Sequence, residues 1–178
     1  MSFIDMFIGF SAYLFENNLS RLRFFYHLNE KQKIVYIVLM LENNCLGYIK
    51  GEHYINNDWE ITKIAAIKGY GYRMYEAIMD LMYPDNWLIP NRKKMINLKL
   101  ANTYTKFIER SDIETQKITE KDDSYVNAPK EHDNWFNRRY RLSSRIDIDF
   151  AETSYKFIKD TGISLFDKTY KGGYKPTF

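Results

Sequence analysis

The sequence predicts an α/β (α+β) chain with a mixed, mainly antiparallel central sheet and helices on both faces. Three observations predict it: an unbroken apolar run of strand length at Ile34–Leu41, two more strand-like runs close behind it, and a glycine-punctuated junction that opens onto a run with helical periodicity.

Ile34 to Leu41 (IVYIVLML) contains no charged residue and is rich in β-branched side chains, the pattern of a buried central strand. Glu42-Asn43-Asn44 is a turn signal, and Cys45 to Tyr54 reads as the antiparallel return strand. Asn56-Asn57-Asp58 makes a second turn before Trp59 to Ile67, so three strands form a meander. Strict alternation puts Trp59, Ile61, Lys63, Ala65 and Ile67 on one face of that third strand. It puts Glu60, Thr62, Ile64 and Ala66 on the other.

The third strand runs into Lys68-Gly69-Tyr70-Gly71 and then a helix over Tyr72 to Met82, with Met74, Ile78, Leu81 and Met82 gathered on one side. Trp87-Leu88-Ile89 is a short buried strand, and Met95 to Glu109 is a second helix. Asp112 to Ile118 and Trp135 to Leu142 read as strands separated by the polar loop Glu120 to Asn134. Asp147 to Lys159 reads as a helix ended by Gly162, followed by a tail from Ile163 to Phe178. At the other end, Phe3, Met6, Phe7, Phe10 and Leu14 recur at helical spacing. The expected organisation is one domain: a helical segment over 1–33, a core over 34–118, and an extension over 119–178 that completes the sheet and carries the tail.

Composition limits the function classes. With 178 residues, of which 45% are hydrophobic and 17% aromatic, the chain can build one core and is not disordered. The rings exceed what a small core needs, so some are expected in a groove or interface. The net charge of +3, from 26 basic and 23 acidic residues, argues against a nucleic-acid binder, and the runs Arg92-Lys93-Lys94 and Arg138-Arg139-Tyr140-Arg141 are short enough to be solvated faces. Cys45 is the only cysteine, which excludes an internal disulfide and a cysteine-based metal cluster and fits a cytoplasmic setting. His27, His53 and His132 lack ligand spacing, so no metal is expected, and no serine sits in a G-x-S-x-G elbow. Met1 to Phe15 holds Asp5 and is too short to span a bilayer, so no membrane partner is expected.

The junction at Gly69 and Gly71 carries the chemistry. Glycines let backbone approach a ligand closely and adopt positive φ, and a following helix offers unpaired N–H groups and the positive end of its dipole. A dinucleotide fold would need a third glycine, where Met74 stands, and a Walker-type loop is absent. A pyrophosphate held by backbone amides remains.

At this junction the chain resembles the GNAT acyltransferase family, whose signature R/Q-x-x-G-x-G/A aligns with Ala66, Gly69 and Gly71. Ala66 stands where the family has Arg or Gln, and Lys68 is the alternative source of charge. The resemblance is closer to the GNAT-like acetyltransferases of tailed bacteriophages. Its carriers are Ala65-Ala66-Ile67-Lys68-Gly69-Tyr70-Gly71-Tyr72-Arg73-Met74-Tyr75, then Ile89-Pro90-Asn91-Arg92, then Arg110-Ser111-Asp112. It covers residues 34 to 118 and departs from the phage pattern at Tyr72 and Asn91.

The resemblance implies an acyl-CoA-dependent N-acetyltransferase with acetyl-CoA as donor and an unspecified amine as acceptor. Ile67, Lys68, Gly69, Gly71, Tyr72 and Arg73 would hold the pyrophosphate, and Asn97 the pantetheine arm. Glu60 would be the base and Tyr104 the acid. The alternative is a catalytically inactive protein of the same fold, serving as a virion-associated or interaction component. It would bind phage structural proteins or itself through the aromatic segments Phe3 to Phe15 and Trp135 to Phe178. A phage origin would place the chain in the host cytoplasm or the virion.

Overall fold

Ile34–Leu41 is the hub of the sheet because both of its faces are covered: Val35 through Met40 are all buried. In the computed structural model, which describes residues 21–90, 106–107, 109–118 and 138–171, this strand is β2. It is flanked by β1 (Leu22–Asn29) and β3 (Asn44–His53), both antiparallel to it. β4 (Asp58–Ala66) is antiparallel to β3, and helix α1 (Gly71–Met82) follows. Next come β5 (Trp87–Ile89), β6 (Ile113–Lys117), β7 (Arg138–Leu142) and β8 (Phe150–Glu152). The chain then finishes in α2 (Tyr155–Ile158), a π-helical turn (Lys159–Ile163) and α3 (Ser164–Lys171). The eight strands form one mixed sheet in the order β6-β7-β5-β4-β3-β2-β1-β8, parallel at β4–β5 and β1–β8.

Helices lie on both faces, as expected. Val35, Ile37 and Leu39 of β2 pack with Ile49 of β3 and with Met74 and Ile78 of α1. A Cβ at Gly47 would collide with the Met74 thioether, so β3 needs glycine there for α1 to lie this close. On the opposite face Tyr36, Val38, Met40 and Tyr48 pack with Ile158, Ile163 and Phe166 of the C-terminal helical run. Among the described residues, no helix is long and apolar enough to cross a membrane.

The expected helical segment over 1–33 needs correction. Leu22–Asn29 is a strand, paired with β2 along its whole length and with β8 at its outer edge. Its side chains are half-buried on both faces, so no alternation marks it in the sequence. Residues 1–20, including the Phe3–Leu14 periodicity, lie outside the described residues.

The C-terminal expectation also changes. Asp147 to Lys159 is not one helix: Asp147 has φ +64, and Ile146, Asp147 and Ile148 donate their N–H groups to the buried Asp80 carboxylate of α1 at 2.7, 3.2 and 2.8 Å. Backbone held that way cannot start a helix. The helix starts after Ser154, whose hydroxyl accepts from the Phe157 N–H at 3.2 Å as an N-cap. Nor does Gly162 end it. Gly162 lies inside the π-helical turn against Tyr48 and Val38, where a Cβ would overlap both side chains, and the helix continues to Lys171 where a tail is expected.

A third correction concerns β4. Lys50 pairs with Lys63 but Gly51 pairs with Ile61, so Thr62 is the extra residue of a β-bulge. The bulge resets the alternation. Trp59, Ile61 and Ala66 belong to the core beneath α1, and Ile64 packs against it. Glu60, register partner of Glu52, projects from the other face, that of Lys63, whose ammonium lies 5.4 Å from the Phe166 ring centroid of α3. Glu60 and Ala66 therefore do not share a face, because one inserted residue inverts a period of two.

Candidate functional site

Among the described residues, β4–β5 is the only parallel pair inside the otherwise antiparallel body of the sheet. Its pairing covers Asp58–Trp87, Trp59–Leu88 and Glu60–Ile89 and then stops. From Ile61 to Ala66, β4 pairs with β3 on one side and, among the described residues, with no strand on the other. Its carboxyl end then runs directly into the glycine turn. In open sheets, ligands bind outside the carboxyl ends of parallel strands, where backbone polar groups lack strand partners.

The turn is tight and its hydrogen bonds are few. The Ile67 N–H donates to Leu46 O at 2.9 Å, anchoring the turn to β3, and the Tyr70 N–H donates to Ile67 O at 3.0 Å. Gly69 has φ +95°, a value that a side chain disfavours. Gly71 has no positive φ; it is the first residue of α1 and is buried. Tyr70 is the N-cap without a side-chain hydrogen bond, and the first turn of α1 contains no acidic residue. The first intrahelical acceptor, Tyr70 O, takes the Met74 N–H at 3.2 Å. The N–H groups of Gly71, Tyr72 and Arg73 therefore precede the helical ladder and carry the positive end of its dipole.

Lys68 and Arg73 are exposed on either side of this turn, and neither makes an ion pair among the described residues. Ala66 is fully buried against α1, so a long basic side chain could not occupy its place without displacing the core. Positive charge at this junction comes from the flanks. Ile67 is exposed at 43%, whereas the Tyr72 ring turns inward onto Phe107, with centroids 5.4 Å apart.

Glu60 is buried at the last register at which β4 and β5 pair among the described residues. The six residues to Ala66 place it about 20 Å along the strand from the turn. The structure thus brings Ile67, Lys68, Gly69, Gly71 and Arg73 together at one end of the open edge and sets Glu60 at the other. Tyr104 and Asn97 lie outside the described residues.

Cys45, Tyr36, His27 and His53 have structural surroundings. Burial pushes the Cys45 thiol up to about 11, and its S–H faces Gly47 O at 3.4 Å, so it is a structural thiol and not a nucleophile. Burial, then the neighbouring Tyr155, pushes Tyr36 up to about 12. His27 and His53 each donate to a backbone carbonyl, Thr153 O at 3.0 Å and Asn56 O at 2.6 Å.

Sequence reasoning singled out Arg110-Ser111-Asp112 but missed the charged clamp it forms with Glu76 of α1. Arg110 is bidentate to Asp112 (Nε to Oδ1 at 3.0 Å, Nη2 to Oδ2 at 2.6 Å) and donates to Glu76 Oε1 of α1 at 3.1 Å. The Asp112 hydrogen bond raises the Arg110 pKa, and Arg110 in turn holds the Asp112 carboxyl below its ordinary value. Arg110-x-Asp112 was visible as a motif, but Glu76, 34 residues away, carries no sequence signal. The basic run at 138–141 is largely neutralised: Arg139 pairs with the buried Asp58 at 3.2 Å and Arg141 with Glu114 at 2.9 Å. Compared with known proteins, the chain matches no family model, no curated protein and no solved structure.

Proposed function

We propose that the chain binds an acyl-CoA along the open edge of β4 and transfers its acyl group to an amine, in the manner of a GNAT-type N-acetyltransferase. One observation carries the reading. Among the described residues the parallel pairing of β4 with β5 covers three registers, and β4 runs on beyond it into a glycine turn at a helix N-terminus whose N-cap, Tyr70, makes no side-chain hydrogen bond.

The residues suit the ligand. The N–H groups of Gly71, Tyr72 and Arg73, flanked by Lys68 and Arg73, match a pyrophosphate, which needs donors and positive charge but no side-chain acid nearby. A ligand spanning from that turn to Glu60 must be long and extended, and the two amides of a pantetheine arm can pair with strand edge groups. Bound there, an acyl-CoA supplies a thioester, which an amine can attack directly. In this reading Glu60, on the face opposite α1, takes the amine proton as C–N forms and C–S breaks. The resemblance assigns the acid for the departing thiolate to Tyr104.

A thermal-shift series with acetyl-CoA up to millimolar concentration tests the binding half of the reading. The expected result is a rise in Tm for the wild type that disappears in Gly71→Glu, because a carboxylate in the first turn repels the anion. No rise in the wild type overturns the reading. Binding without acetylation of any member of a panel of polyamines, aminoglycosides and lysine peptides would favour the second reading, a GNAT-fold binding component without catalysis. That second reading draws on Ala66, whose buried position leaves no room for the family's basic residue.

A further inference from the structure

Arg110 lies outside the glycine turn, and its contacts reach the first two turns of α1 directly through Glu76 and indirectly through Phe107. Its guanidinium donates to Glu76 and lies 5.4 Å over the Phe107 ring. Phe107 is 1% exposed and packs against Tyr72 at 5.4 Å and Tyr75 at 5.3 Å. Glu76 and Tyr72 are four residues apart, so they share one face of α1 one turn from each other. The bidentate grip on Asp112, directly before β6, fixes the guanidinium plane that makes both contacts.

This arrangement has an electrostatic side as well. Glu76 is five residues into α1, about 7 Å along the axis from the first N–H groups. Its side chain is 18% exposed, so water screens it poorly. A bare carboxylate there would oppose any anion at the helix N-terminus.

We propose that Arg110 is a positioning residue for the anion turn: it masks the charge of Glu76 and, through Phe107 and Tyr72, holds the first turn of α1 in place. The inference rests on the acyl-CoA reading and assigns a determinant of affinity that touches no ligand. Glu76 is its electrostatic partner and Asp112 the group that orients the fork.

The test is calorimetric titration of CoA into the wild type, Arg110→Met, Arg110→Lys and the double variant Arg110→Met/Glu76→Gln, with Tm measured for each. Arg110→Met is expected to weaken the CoA Kd roughly fivefold to tenfold, the size of one unmasked charge near a surface. The double variant is expected to recover most of that affinity while its Tm stays as low as that of Arg110→Met or lower. Arg110→Lys keeps the charge without the fork and is expected to fall between them. Unchanged affinity in Arg110→Met with a CoA-binding wild type overturns the inference and leaves the acyl-CoA reading standing. So does an affinity loss in the double variant equal to that in the single. A wild type that binds no CoA overturns both.

Discussion

Helix α1 meets two clusters of three consecutive backbone N–H groups, and the chain treats them in opposite ways. Near its carboxyl end, Asp80 reaches across to Ile146, Asp147 and Ile148 and accepts from all three within 3.2 Å. At its amino end, the N-cap Tyr70 makes no side-chain hydrogen bond, the first turn holds no acidic residue, and the N–H groups of Gly71, Tyr72 and Arg73 precede the helical ladder. The first cluster is filled by an internal carboxylate that ties the C-terminal extension to the core. The second is flanked by Lys68 and Arg73 and, on the proposed reading, receives the anion of a ligand. The same donor chemistry is structural in one place and, on the proposed reading, functional in the other.

Four perturbations separate the two clusters. The largest effect is expected from Asp80→Ala, which removes a buried carboxylate that accepts from three part-buried N–H groups and should cost about 2–3 kcal/mol in urea unfolding. CoA affinity of the folded fraction should stay unchanged; a parallel loss would mean that the clusters are coupled. Gly69→Ala comes next, at about 1–2 kcal/mol, because an L side chain must adopt the φ of +95° that the turn requires. It should also weaken CoA binding, and a Tm equal to that of the wild type would show that the turn relaxes freely.

Arg73→Glu gives the cleanest contrast. An exposed acid in the first turn complements the helix dipole and should stabilise the protein by about 0.3–1 kcal/mol. It should simultaneously abolish measurable CoA binding, so stability and binding move in opposite directions. A variant that lost both would point to disturbed packing. The smallest effect concerns the Asp112 end of the clamp. Arg110 holds the folded Asp112 below its ordinary 3.8, so its contribution is present above that value and is lost as pH falls through the lower folded value. With the Asp112 side chain 49% exposed, solvent screening keeps this small. The acid limb of the Tm–pH curve should be slightly shallower in Asp112→Asn than in the wild type, and identical limbs would deny the clamp any role in stability.

Most of the sheet was legible in the sequence where one strong pattern dominates. IVYIVLML announces a strand buried on both faces, and Gly71–Met82 announces an amphipathic helix through Met74 and Ile78. The glycine turn was legible for the same reason: glycines between a strand and a helix have few structural uses. β1 was not legible, because half-burial on both faces blurs its alternation. The break at Asp147 was not legible either, because it depends on a carboxylate 67 residues earlier.

By itself the sequence determined the local preferences: which runs extend, which coil, and where backbone without a side chain meets a helix start. Those preferences depend on neighbours within a few residues and on the alternation of apolar with polar side chains. Only the tertiary structure decided that β4 carries a bulge at Thr62, which turns Glu60 away from the face of Ala66. It alone set β5 parallel to β4 over Asp58 to Glu60 and brought Arg110 to Glu76. The physical reason is that register, strand separation and ion pairing are set by groups distant in sequence. One inserted residue in a ladder, or one carboxylate across the fold, inverts what local periodicity implies.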